Sequence, residues 1–263
     1  MKAYLAMLDA RFRGLLQYRS AAIAGIGTQL FFGYVRVMIF AAFYRSSDAA
    51  QPMTAEQVVS YIWLSQAFLL LAMFGVESEI AAMIRSGGVA YELTRPVDLY
   101  GMWYSRCLAA RLAPTLLRAV PQLVLAYAFL GLQAPASVSA LGWSLLAILS
   151  GAALAGAISA AMTISLLWTI SGEGISRLAP AVIFLFSGII VPLPLFPAWL
   201  QPIVQAMPFR GLIDVPFQAY LGLLTGTAAL MGIVQTWVWI AVFVMAGRLM
   251  LQRGLKQLVA QGG

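Results

Sequence analysis

SGIIVPLPLFPAWLQPIVQAMPFRGLIDVPFQAYLG, residues 187–222, decides how this chain is folded. The apolar run that leads into it starts near Leu178 and meets Pro192 after about 13 residues, whereas a helix needs about 20 residues to cross about 30 Å of hydrocarbon. Residues 192–216 then hold six of the chain's twelve prolines. Proline lacks an N–H and its ring clashes with the preceding turn, so no straight helix passes through. Backbone freed at Pro192 and Pro194 cannot face lipid unsatisfied. It is buried in protein or lines a wet cavity. The run IVQAMPF, residues 203–209, is too apolar for a solvated loop. These features predict a broken span followed by a re-entrant extracellular segment over 192–216. Pro192, Pro194, Pro197 and Pro208 frame this cap at the outer mouth, and Trp199 sits at the interface. The alternative is a proline-rich loop lying on the outer surface.

The rest of the chain supplies the membrane. Of 263 residues, 62% are hydrophobic and 10% charged, with mean hydropathy +0.89. A soluble domain is about 45–50% apolar and about 25% charged. The apolar blocks are long and separate and do not alternate at period two, so the expected class is all-α, with membrane-spanning helices and no barrel strands. Spans are expected at about 21–44, 58–76, 107–131, 141–170, from 178, and 228–250, six in all, with Thr54 capping the second. Residues 1–20 read as an amphipathic helix. Leu5, Leu8, Phe12, Leu15 and Leu16 share one side with Tyr4, and Lys2, Asp9, Arg13 and Gln17 the other. Such a helix lies in the interface, the alternative being a solvated leader. Asp9, Arg11, Arg13 and Arg19 interrupt any signal-peptide core. The expected organisation is an interfacial helix at 1–20, a transmembrane domain at 21–250 and a basic cytoplasmic tail at 251–263.

Charge sets the orientation. With the N-terminus inside, the cytoplasmic pieces hold Lys2, Arg11, Arg13, Arg19, Arg85, Arg95, Arg106, Arg111, Arg118, Arg177, Arg248, Arg253 and Lys256. Arg45 and Arg210 lie outside, and Arg36 within the first span. Basic residues collect on the cytoplasmic side, so both termini are placed there, in a multi-pass protein of a cytoplasmic membrane. The net charge of +7 is topological and implies no nucleic acid.

The sequence has no histidine and one cysteine, Cys107. That leaves no common metal ligand or general base, so a metal site or a catalytic triad is not expected. No G-x-x-x-x-G-K-[ST] is present, and IRSGGVA, residues 84–90, reads as a turn. The chain is expected to be no enzyme and to bind no cofactor. An ion-coupled carrier needs midplane ionisable groups, and apart from Arg36 almost none are offered.

The polar stretch at about 77–106 includes YELTRPVDLYGMWYSR, residues 91–106. The chain reverses at Ser86-Gly87-Gly88, resumes as a short helix at VAYEL and stops before Pro96. From composition it is either a compact cytoplasmic projection or an ordinary charged loop. RSGGVAYELTRPVDLYGMWYSR, residues 85–106, and the 187–222 stretch together resemble the permease subunits of bacterial ABC exporters of the ABC-2 type. The late segment carries Ser187, Gly188, Pro192, Phe196, Pro197, Trp199, Leu200, Pro208, Phe209, Pro216, Tyr220 and Gly222 in the order of that family's broken fifth span. Many members have an E-R-x-x-G-T-L-type loop, where this chain runs from Glu79 to Arg85 into Ser86-Gly87-Gly88.

The resemblance implies a coupling helix that docks on a separate ABC ATPase dimer. Arg85, Gly87, Gly88, Tyr91, Glu92, Leu93, Arg95 and Pro96 would lie at that contact. ATP and Mg would be held by the partner. A second permease is implied, identical or a related six-span protein as in the subgroup with paired permeases, and export of an amphipathic drug-like or lipid-like substrate.

Four positions are candidate pathway residues. Arg36, at a depth that costs roughly 2.5–3.5 kcal/mol, faces the bundle or a cavity, as a pathway residue or the partner of an acid on another helix, or else snorkels outward to the headgroups. Gln66, with Ser60 and Ser65, lines the interface between halves or bonds neighbouring helices. Phe184 and Phe186 form a greasy wall or pack against lipid. Arg106 and Arg111 are expected on lipid phosphates, and Arg118 on Glu77 or Glu79.

Overall fold

A computed structural model describes residues 2–17, 19–46, 50–169 and 173–256. The described chain is helical, with no strand among those residues. Residues 47–49, 170–172 and 257–263, the last within the expected tail, lie outside the described residues.

Helix α1, Lys2–Leu15, is amphipathic as its spacing predicts and packs along α7, Leu99–Phe129. The first span is α2, Arg19–Ser46, with an apolar outer face that includes Phe31, Phe32, Tyr34 and Met38. The second span differs from the expectation. Helix α3, Ala55–Ala67, opens on a full capping box: Gln57 N donates to Thr54 Oγ1 at 3.2 Å, and Thr54 N to Gln57 Oε1 at 2.9 Å. It stops at Phe68. One further turn, α4 Leu69–Ala72, follows, and residues 73–77 then run without helix. No proline marks this break.

After the short helices α5, Ser78–Ser86, and α6, Val89–Leu93, the third span is α7. It passes straight through Pro114 and Pro121. Helix α8, Val138–Ile164, is capped by Ser137 and is the central pillar, with Leu154, Ala155, Ala157, Ile158 and Ala160 buried. Its small residues let backbones approach closely, and α7 and α12, Gly226–Leu255, pack on it. The fifth span breaks as expected. Helix α9, Glu173–Phe186, gives way to a 3-10 turn at Leu193–Leu195 and α10, Gln201–Ala206. A second 3-10 turn at Pro208–Leu212 and α11, Asp214–Tyr220, follow.

Among the described residues, four helices are long and apolar enough to cross a membrane: Ser20–Ser46, Leu99–Phe129, Val138–Leu167 and Gly226–Leu255. The stretches expected as the second and fifth spans hold shorter helices.

The tightest approach to backbone joins α8 to the cap. A Cβ at Gly151 would lie 2.6 Å from the Gly211 carbonyl oxygen, and one at Gly211 would lie 2.5 Å from Thr236 Oγ1 on α12. Backbone atoms cannot yield there. Gly151→Val is therefore expected to lower stability by about 1–3 kcal/mol, read as a fall in the melting temperature in detergent. An unchanged melt would mean that the cap does not rest on α8.

Candidate functional site

Two regions carry the candidate geometry: the helical hairpin at 77–98 and the interrupted helices around 68–77 and 187–216.

The hairpin begins at Glu77, whose carboxylate caps α5 by accepting Ile80 N at 2.8 Å. Its other oxygen accepts from Arg11 of α1 at 2.7 Å, and Arg11 also pairs with Glu79. Burial works against the charged Arg11 guanidinium, but the two carboxylates outweigh it and its pKa shifts upward. Glu77 N donates to Thr163 Oγ1 at 3.0 Å, which ties the hairpin to α8. Gly87 ends α5 at φ 74°, a left-handed conformation that a β-carbon disfavours.

Helix α6 is then fixed to α7 by one side chain. Glu92 is 5% exposed. One carboxylate oxygen accepts from Trp103 Nε1 at 2.6 Å, and the other meets Arg106 at 2.7 Å. Asp98 caps α7, accepting Gly101 N at 2.8 Å, and its own N–H donates to Tyr4 of α1 at 3.0 Å. Helices α1, α7 and α8 thus hold the hairpin. Left outside are Arg85, Gly87, Leu93, Arg95, Pro96 and Tyr91, the last 81% exposed, with Gly88 half-buried.

Two expectations are corrected here. Glu92 is an internal brace and lies outside the exposed edge. Arg106 neutralises Glu92 and does not reach for lipid, because a buried carboxylate needs a counter-charge more than a headgroup does.

The two breaks share a solution. Arg111, expected at lipid phosphates, turns inward from α7. It donates to the carbonyls of Met73 and, at 2.9 Å, Gly75, and to Ser159 Oγ at 3.0 Å. Those carbonyls belong to the non-helical run at 73–77, where no helix satisfies them. Arg36 does the same from α2 at the other break. It donates to the carbonyls of Ile189 and, at 3.0 Å, Ile190, and to Ser65 Oγ at 3.2 Å. Arg36 thus turns into the bundle, onto backbone carbonyls where an acid on another helix was the expected partner, and does not snorkel. Arg118, expected on Glu77 or Glu79, lies against Gly25 of α2, while Arg11 takes both acids.

The cap satisfies its remaining backbone locally. Gln201 Nε2 donates to the carbonyls of Leu193, Pro194 and Phe196 at 2.7, 3.2 and 3.1 Å. From α12, Gln235 reaches the Gln205 carbonyl at 2.6 Å and Trp239 the Ala206 carbonyl at 3.1 Å. Pro192 and Pro208 are buried, Pro194 is half-buried, and Pro197 and Trp199 face outward. Asp214 anchors the whole segment. It is 1% exposed, accepts both oxygens' worth of bonds from Gln218 Nε2 at 2.7 Å, and accepts Tyr61 Oη at 3.3 Å. Arg210 Nε lies 3.6 Å away. The sequence showed only an acid between apolar residues and no sign of this anchor.

The expected pathway residues do not form one site. Phe184 is half-buried against the core and Phe186 is half-buried at the end of α9. Ser60 accepts Gln133 N at 3.0 Å and Ser65 donates to the Ile62 carbonyl at 2.8 Å, so both are structural. Gln66 is different. It is buried on α3, and its Oε1 has no partner among the described residues. Gln29 on α2 and Gln122 on α7 are buried too, with both amide atoms unpartnered. On α2, Gln29 lies between Gly25, which meets Arg118 of α7, and Gly33, which meets Trp63 of α3. Two of these three glutamines were missed. A lone amide in an apolar run is weak evidence until its neighbours are known.

Among known families, the one described as ABC-2 family transporter protein matches residues 30–262. No curated protein matches the chain. The match takes in both broken spans, the hairpin and the cap, and with them the chain belongs to the ABC-2 transporter family, as a membrane component of an ABC transporter.

Proposed function

We propose that this chain is the permease subunit of an ATP-driven exporter. It crosses a bacterial cytoplasmic membrane six times, with both termini inside. The observation that carries this reading is the hairpin at 77–98. Buried ion pairs lock it to the spans, while Tyr91, Leu93 and Arg95 face outward. A loop that only balances charge needs no such bracing. A lever does, because force applied at its edge is transmitted only if its root is stiff. An ABC ATPase dimer, carrying ATP and Mg, docks on that edge. A second permease, identical or related, completes the pathway. The substrate is amphipathic, drug-like or lipid-like, and leaves from the cytoplasm or inner leaflet.

Arg95→Glu with Tyr91→Ala is expected to abolish co-purification of the ATPase subunit while leaving the melting temperature unchanged, since neither residue braces the fold. Retention of a stoichiometric ATPase would remove the docking assignment.

The buried amides support a polar passage between α2, α3 and α7. An unpartnered buried amide costs about 1–3 kcal/mol, which a purely structural position does not require. Gln122→Leu is therefore expected to keep or raise thermal stability and to reduce export, measured by substrate accumulation in cells. Normal export by a stabilised variant would make Gln122 a packing residue.

A further inference from the structure

The cap and the first turns of α12 enclose a second polar site, a cavity of about 460 Å³. Its polar lining is Gln201, Gln205, Arg210, Asp214, Gln218 and Gln235, and Leu193 and Met231 form apolar walls. The hydrogen bonds already made fix which atoms remain. Gln201 donates to three carbonyls, and its Oε1 accepts from Gln205 Nε2 at 3.1 Å. Gln218 donates to Asp214, and Gln235 to a carbonyl. Carbonyls and carboxylates only accept, so each of these bonds uses an amide N–H, and what is left for a ligand is the oxygens of Gln205, Gln218 and Gln235 with one N–H each of Gln205 and Gln235. Arg210 also lines the cavity, with its buried Nε turned toward Asp214.

The two charges, 3.6 Å apart, cancel within the site. An anion meets three amide oxygens and an already paired arginine. A cation meets an acid that Arg210 and Gln218 already hold. A neutral group rich in hydroxyls, each of which both donates and accepts, suits the open amide oxygens and N–H groups together, and an apolar ring face suits Leu193 and Met231.

We propose that this cavity binds a neutral polyhydroxylated group, such as a sugar. The group is either free or the headgroup of a membrane glycolipid. This goes beyond the exporter reading and does not depend on it. A pocket of this size holds a ligand of one or two rings.

The test uses the chain in nanodiscs of phosphatidylcholine, with scintillation-proximity binding of three labelled probes: sucrose, dodecyl maltoside and inorganic phosphate. Binding above empty nanodiscs is expected for a sugar probe and not for phosphate. Sucrose binding identifies the free form as sufficient, and maltoside binding alone identifies the membrane-anchored form. Gln205→Leu with Gln235→Leu removes two acceptors and should weaken the sugar by about tenfold. Gln205→Leu alone, at an exposed position, gives a smaller loss with the melting temperature of the parent protein. No sugar binding, binding unaltered in both variants, or binding of phosphate alone would overturn the proposal. ATPase docking bears on none of these outcomes.

Discussion

Glu92→Ala is expected to destabilise the protein by about 3–5 kcal/mol, a fall of about 10 °C in melting temperature. The reason is the geometry of one carboxylate. It takes Trp103 on one oxygen and Arg106 on the other, in a setting 5% open to solvent. Removing it leaves Arg106, whose side chain is 15% exposed, as an uncompensated charge. The pair itself is not what makes the hairpin stable. Glu92→Leu with Arg106→Met should recover most of the loss, because replacing both members of a buried pair by apolar groups is often neutral. Only the indole N–H of Trp103 stays unpaired, at about 1–3 kcal/mol. Calorimetry or a fluorescence melt of the two variants beside the parent protein checks this. An equal loss in the single and double variants would show that the ion pair is not the root of the hairpin.

Arg36→Met is expected to cost about 2–5 kcal/mol, because it strands the carbonyls of Ile189 and Ile190 at the break of the fifth span. Arg111→Met should do the same at the second span by stranding Met73 and Gly75. Both arginines act over long sequence distances, and both hold backbone that no helix satisfies. Lysine is a poor substitute at either place, since a single ammonium cannot span two carbonyls as a planar guanidinium does. Arg36→Lys is thus expected to recover less than half of the melting temperature lost in Arg36→Met. The outcome also separates two roles for Arg36. A residue needed only for transport would lose export without losing the melt, whereas a structural brace loses the melt first.

The contrast between the two breaks shows what a sequence conveys. The fifth span announces its break, because Pro192 and Pro194 remove donors at known places. The second does not. Residues 73–77 contain no proline, and their conformation depends on Arg111, more than thirty positions away. Local signals of the same kind were read correctly elsewhere. Thr54 caps as expected, and the reversal falls at Gly87. Side-chain destinations were less legible. Glu92 sits among polar neighbours in a polar stretch, and nothing in the sequence separates a buried acid from an exposed one there. Its spacing from Arg106 acquires meaning only once α6 folds back on α7. Asp214, Gln29 and Gln122 were hidden for the same reason, since each depends on helices brought together from distant parts of the chain.

The central claim is that the exposed edge of the hairpin is where an ATPase engages this permease. A photo-reactive benzoylphenylalanine placed at Tyr91 in the native membrane tests it most directly. Irradiation followed by mass spectrometry is expected to yield one major adduct, a polypeptide with a nucleotide-binding P-loop, and the same probe at Trp199 on the cap is expected to yield none of it. Adducts at Tyr91 with lipid alone, or with no nucleotide-binding protein, would contradict the account.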